Sequence, residues 1–159
     1  MDIGIQIDES YSAMIDANQI KEAMRATLRL CPGPRTKETD SVALAITDDE
    51  TVRQLNHRYR GVDEPTDVLS FENLPDPDFP NEEATVHLGD VIIAFPVAAA
   101  QATAAGHAIS EEIILLTVHG TLHLLGFDHD TPTGKKNMWS IQRQIMTELG
   151  LPYVQPPVD

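Results

Sequence analysis

The stretch that most limits what this chain can become runs from Glu111 to His129, EEIILLTVHGTLHLLGFDH. Ile113, Ile114, Leu115, Leu116, Val118, Leu122, Leu124 and Leu125 leave its first part almost no polar face. Such a run is expected as a helix buried on nearly every side. Ser110 is the expected N-cap, and Glu111 and Glu112 suit the positive end of the helix dipole. Two histidines interrupt the apolar run, His119 and His123. At i and i+4 their rings project from one face, about one turn apart. Gly126 then offers the left-handed residue that ends a helix. The chain can turn there and bring His129 back toward the same point, so three imidazoles are expected to converge.

The ordinary reading of one histidine on an apolar helix is a core residue bonded to a backbone carbonyl. Three at these offsets are another matter. At this chain's histidine frequency, a given histidine has a partner at both +4 and +10 about once in a thousand. Unpaired imidazoles in an apolar helix also cost free energy. A catalytic zinc site typically uses three protein ligands and keeps a fourth position open, and neutral imidazole is a good ligand. The H-x3-H-x2-G-x2-H spacing is similar to that of the metzincin peptidases. Those peptidases carry glutamate, as general base, directly after the first histidine, where this chain has Gly120. A structural zinc would want a fourth protein ligand, for which Asp128 and Asp130 are available.

Net charge is −14, from 11 Lys plus Arg against 25 Asp plus Glu. That excludes a general nucleic-acid binder with a broadly basic surface. An RNA substrate would need a local basic patch, for which Arg53, Arg58 and Arg60 before the motif and Lys135 and Lys136 after it are the material. The single cysteine, Cys31, allows no intramolecular disulfide and fits a reducing compartment. The opening MDIGIQIDES has no basic n-region and no apolar run is long enough to span a membrane, so a soluble cytoplasmic protein is expected.

Periodicity and turn residues place the elements. A strand is expected over 2–7, and a helix over 18–30 capped by Asp16 or Asn18. A polar loop follows to Asp40. Val42, Leu44 and Ile46, with Ala43 and Ala45 between them, read as a central strand covered on both faces. A helix over 50–59 follows, capped by Asp48 or Asp49, with Val52, Leu55 and Tyr59 inward. Strands are expected over 67–71 and 85–95, joined by a Pro-rich acidic loop over 73–84, with a bulge at Gly89-Asp90. Pro96 opens an Ala-rich helix that Gly106 ends. The histidine helix comes next. A last helix over 135–149 turns Met138, Ile141, Ile145 and Leu149 inward. This order makes an α+β fold: a small four-stranded mixed sheet with about five helices around it and a metal site on a buried helix and the turn after it. The first strand-helix-strand unit fits a parallel crossover, and the third and fourth strands an antiparallel hairpin.

HGTLHLLGFDH, His119 to His129, resembles the YbeY family of bacterial metal-dependent endoribonucleases. Three further stretches are similar to the family in order: LNHRYRGVDEPTDVLSF from Leu55, LGDVIIAF from Leu88 and GHAISEEIILLTVHG from Gly106. The resemblance implies that residues 1–159 form one metal-dependent endoribonuclease domain. It implies one Zn²⁺ per chain held by His119, His123 and His129, and a family arginine that matches Arg60. It further implies cleavage of single-stranded RNA, maturation of the 3′ end of small-subunit rRNA, ribosome quality control, and ribosomal small-subunit or assembly proteins as partners. After the last histidine many members continue with an acidic run. This chain instead has Asp130, Thr-Pro-Thr-Gly and two lysines.

The expected chemistry is attack on a phosphodiester by water that zinc acidifies toward a pKa of about 7. Arg60 is the expected catalytic cation, since a guanidinium can hold a phosphate through two hydrogen bonds. The general base stays open among Asp90, His57 and Asp128, each with a structural role as its alternative. Ser70 and Cys31 have no base nearby in sequence and are read as structural. Two rival readings remain, a zinc peptidase and a non-catalytic ribosome-assembly factor with a structural zinc.

Overall fold

The computed structural model describes residues 1–31, 39–73 and 86–154. The expected loop after Cys31 and the acidic loop after Asn73 fall largely outside these residues. Among the described residues four strands form one mixed sheet in the order β1-β2-β4-β3. They are β1 (Asp2–Ile7), β2 (Ser41–Thr47), β3 (Val68–Glu72) and β4 (His87–Ala94). β1 runs parallel to β2, with Ile5 opposite Leu44. β2 runs parallel to β4, with Leu44 opposite Val91. β3 returns antiparallel to β4 as a hairpin. Among the described residues five α-helices surround the sheet: α1 (Ala17–Leu30), α2 (Asp49–Arg60), α3 (Phe95–Ala105), α4 (Ile109–Leu124) and α5 (Pro132–Glu148). A 3₁₀ turn, Glu9–Met14, that periodicity did not anticipate follows β1. The α+β class and the order of the expected elements are therefore observed.

The side-chain alternation of a strand sorts the sheet into two faces. Ile3, Val42, Leu44, Ile46, Val91 and Ile93 join Ile20, Met24, Leu28, Ile113 and Leu116 in the main core. α4 lies at the centre of the molecule, against α1, α3, α5, β3 and β4. This explains its lack of a polar face: Ile113 through Val118 are all buried. The opposite sheet face is less covered than expected. Ala43 and Ala45 are only partly buried and border an apolar cleft with Leu55, Tyr59 and Phe71. Tyr59, expected inward, is 60% exposed at the rim of that cleft.

Three local devices set the frame. Asp16 and Asp48 cap α1 and α2 by accepting from Asn18 N and Thr51 N. α4 begins two residues earlier than Ser110 implied. Its N-cap position is Ala108, whose N–H donates to Glu111 Oε1 at 2.8 Å. The expected bulge is real: Ser41 lies opposite His87 but Ala43 opposite Asp90, so β4 carries an extra residue. Gly89, at φ 150°, sits in it, and a Cβ there would come within 2.3 Å of the Phe71 carbonyl oxygen and 2.8 Å of Leu124. Glycine is what lets β3, β4 and α4 meet there. No helix of the described residues is long and apolar enough to cross a membrane.

Candidate metal centre

α4 delivers His119 and His123 as expected, from its last turns. The helix then ends in a Schellman-type turn: Phe127 N–H donates to Leu122 O and Gly126 N–H to His123 O, both at 3.1 Å. Gly126 takes φ 96°, and the reversed chain returns His129. The three rings meet with centroids 4.7 to 5.5 Å apart. One nitrogen from each of His119, His123 and His129 lies within 4.8 Å of the others, so the three could hold a metal ion.

The donor set fits a metal. His119 Nδ1 donates to Gln142 Oε1 at 2.9 Å, and His123 hydrogen-bonds the Phe127 backbone. The two Nε2 atoms then face one another at 3.1 Å. When both rings place their protons outward, two lone pairs meet at that distance and repel unless a cation sits between them. Nitrogens at 2.0–2.1 Å from one tetrahedral zinc stand about 3.3 Å apart, close to what is seen. Burial also keeps these rings neutral. It is the main cause that lowers the His119 pKa, with His129 adding to the effect and the Gln142 hydrogen bond and Asp67 opposing it. Burial, then the neighbouring His119 and His129, depress His123 to about 4, with Arg60 contributing in the same direction. Trp139 packs its ring edge-on to His119 and His129, with centroids 5.5 and 5.4 Å away.

The cluster opens into a cavity of about 780 Å³ between α4, α5 and β3. Arg60 stands on its wall, the only arginine or lysine among the described lining residues. The Arg60 guanidinium donates to Ser70 O at 2.8 Å and lies 5.8 Å from the Phe71 ring centroid. The wider basic patch expected from Arg53, Arg58 and Arg60 is not assembled. Arg53 is held by Glu50 and Asp63, whose hydrogen bonds raise its pKa further, and Arg58 lies against Tyr59.

Of the three candidate bases, Asp128 alone lines this cavity. Asp90 lines the other cleft and hydrogen-bonds His87. His57 is exposed on α2. Ser70 donates to the Gly120 carbonyl at 2.8 Å, a strand-to-helix tie that fits its structural reading. Gly120 itself faces the sheet. A Cβ there would lie 2.6 Å from Val91 Cγ1 and 3.2 Å from Val68 Cγ2. The position at which metzincins carry their general base therefore has no room for a side chain here.

Sequence reasoning missed a polar group at the cavity wall. Glu112, read only as suiting the positive end of the helix dipole, is 2% exposed. His107 Nε2 donates to its Oε2 at 2.5 Å. Turned so that its nitrogen faces the two carboxylates, the Gln101 amide would donate to Glu112 Oε1 at 3.0 Å and to Asp67 Oδ2 at 3.3 Å. Burial is the chief cause that raises the Glu112 pKa, and His107 opposes it. Glu112 lies seven residues before His119, two turns along one helix face, which was the available signal. Gln142 was missed too, although it falls at a regular inward position between Met138 and Ile145.

Fold and site together define a small α+β protein with three histidines grouped at a cavity large enough for a substrate. The chain matches the endoribonuclease YbeY family over residues 5–150, and it belongs to that family. An endoribonuclease YbeY of Dehalococcoides mccartyi is 40% identical over 152 residues, covering 89% of each chain. That of Roseiflexus castenholzii is 40% identical over 157 residues, 94% of this chain and 93% of the relative. That of Moorella thermoacetica is 46% identical over 114 residues, 69% of this chain and 73% of the relative. The solution structure of TM1509 from Thermotoga maritima shares the fold, with TM-score 0.60 over 99% of both chains at 21% identity.

Proposed function

We propose that this protein is a zinc-dependent, single-strand-specific endoribonuclease, with His119, His123 and His129 holding one Zn²⁺ and Arg60 serving the phosphate. The observation that carries the reading is the grouping of three imidazoles within 4.8 Å beside a cavity whose wall bears Arg60, in a chain whose relatives are named endoribonucleases. Zinc at such a site supplies positive charge and an acidified water.

The chain's own residues do the rest. Arg60 binds the scissile phosphate through its guanidinium and offsets the charge that develops on its oxygens. Its present hydrogen bond to Ser70 O fixes the side chain against β3 and leaves other N–H groups for substrate. Asp128, on the cavity wall, is the remaining candidate to orient water. Trp139 packs against one side of the cluster, on the His119 and His129 rings. The natural substrate we assign is precursor rRNA at the 3′ end of the small subunit, within ribosome maturation and quality control in the cytoplasm. Ribosomal small-subunit or assembly proteins bring this acidic chain to the RNA. Gly120, packed against Val91, removes the support for a peptidase.

The test is end-group analysis of a defined single-stranded RNA cut by the zinc-loaded protein, with casein as the peptidase control. The expected result is 3′-hydroxyl ends, cutting that stops on zinc removal, and a decline on the acid side of about pH 7. Cyclic-phosphate ends, or full cutting by a His119→Ala/His123→Ala double variant, would overturn the reading. Stoichiometric zinc without any RNA cleavage would favour the non-catalytic assembly factor.

A further inference from the structure

Gln142 occupies the inward face of α5 between Met138 and Ile145, and only 1% of it is exposed. Its neighbours on that face are apolar. The buried amide uses one end only. Its Oε1 accepts from His119 Nδ1 at 2.9 Å, while its Nε2 is buried with no hydrogen-bond partner among the described residues. Burying amide N–H groups unpaired is unfavourable, and leucine at 142 would remove that cost at similar volume. What glutamine offers and leucine lacks is the oxygen that faces His119.

That oxygen selects a tautomer. The imidazole nitrogen facing a carbonyl oxygen carries the proton, and the other keeps its lone pair. With Nδ1–H on Gln142, the lone pair of His119 is on Nε2, the atom 3.1 Å from His123 Nε2. Reversing the amide would set its NH₂ against Nδ1 and move the ring proton to Nε2, into the point where the three rings meet. We infer that Gln142 is a positioning residue: it fixes His119 as the Nδ1–H tautomer and so turns the ring's lone pair toward the other two histidines. The consequence for metal affinity rests on the metal reading above, whereas the tautomer does not.

The choice of amide over carboxylate has a second effect. Asp67, Glu112, Asp128 and Asp130 already line the cavity. A carboxylate at 142 would orient His119 equally well and add basicity to it, but would place one more negative charge beside a polyanionic substrate. A neutral acceptor orients the ligand without that repulsion.

Two measurements test this on the full chain. Long-range ¹H–¹⁵N NMR of the metal-free protein reads the His119 tautomer, and competition with a chromophoric chelator reads zinc affinity. Wild type is expected to show Nδ1–H at His119. Gln142→Leu is expected to lose that preference and bind zinc about 10- to 100-fold more weakly. Gln142→Glu should keep the tautomer, bind zinc at least as tightly as wild type, and show weaker RNA binding at low salt. Gln142→Met replaces the leucine variant if a melting curve shows the latter unfolded. An unchanged His119 tautomer in the apolar variant overturns the inference, as does zinc affinity within about threefold of wild type. If wild type takes up no zinc, the metal reading fails, and the tautomer measurement still decides the role of Gln142.

Discussion

On the proposed reading, Arg60 carries a burden at the residue scale that its neighbours cannot share. Arg53 is committed to Glu50 and Asp63, and Arg58 turns to Tyr59. Arg60 is exposed, so its removal should leave the fold intact. Arg60→Ala should lower single-strand RNA cleavage about 10²- to 10³-fold, the typical effect of losing one donor to developing charge. Its melting temperature should stay within about 2 °C of wild type, and its zinc content should not change. Arg60→Lys should recover only part of the activity, because an ammonium cannot grip a phosphate through a planar fork. Full activity in the lysine variant would sink the bidentate role. The histidines were legible from sequence because their spacing is imposed by one helix and one turn. Gln142 and Glu112 were not, because their meaning depends on partners 23 and 5 residues away that only packing brings close.

At the scale of elements, α4 must touch the sheet closely enough to present its histidines beside β3. Gly120 makes that approach possible, and Ser70 ties the Gly120 carbonyl to β3. Gly120→Ala gains helix propensity of about 1 kcal/mol. Against that, its Cβ meets Val91, which is 0% exposed and has nowhere to move. Overpacking of this kind costs about 1–3 kcal/mol. We expect a net melting-temperature loss of about 2–8 °C, and adding Val91→Ala should return part of it by making room. A Gly120→Ala protein that melts above wild type would mean that helix and sheet are not in tight contact. Periodicity located this helix but not its start. Ser110 looks like a cap by type, yet Ala108 holds the position because Glu111 reaches back to its N–H. Tyr59 shows the same limit. Its spacing from Val52 and Leu55 was helical and inward, but α2 covers only part of the sheet face, and the ring ends at the open edge.

The whole molecule ties these elements into one response to pH and to metal. The strand order, β4 inserted between β2 and β3, could not be read from sequence, because no local signal records which parallel neighbour a buried strand chooses. It places β3 and α4 on either side of the cavity, so ion binding at the histidines should brace the fold there. Free energy of binding to the native state alone adds to stability. Chelation should therefore lower the melting temperature at neutral pH. In the metal-free protein, His123 has a folded-state value of about 4, below its ordinary 6.5, mainly through burial. A depressed histidine makes the unfolded chain bind more protons than the native one. Its contribution is thus fully present above about pH 6.5 and is lost as pH falls toward about 4. His119 is shifted in the same direction by the same cause and adds to the trend. Glu112 runs the other way, since its raised value favours the native state as acid is added. Melting curves of metal-free protein from pH 8 to pH 4 should fall through this window. A His119→Leu/His123→Leu variant should fall less steeply there and should lose its response to chelator. Parallel curves for wild type and variant would mean that these rings are not buried neutral in the native protein.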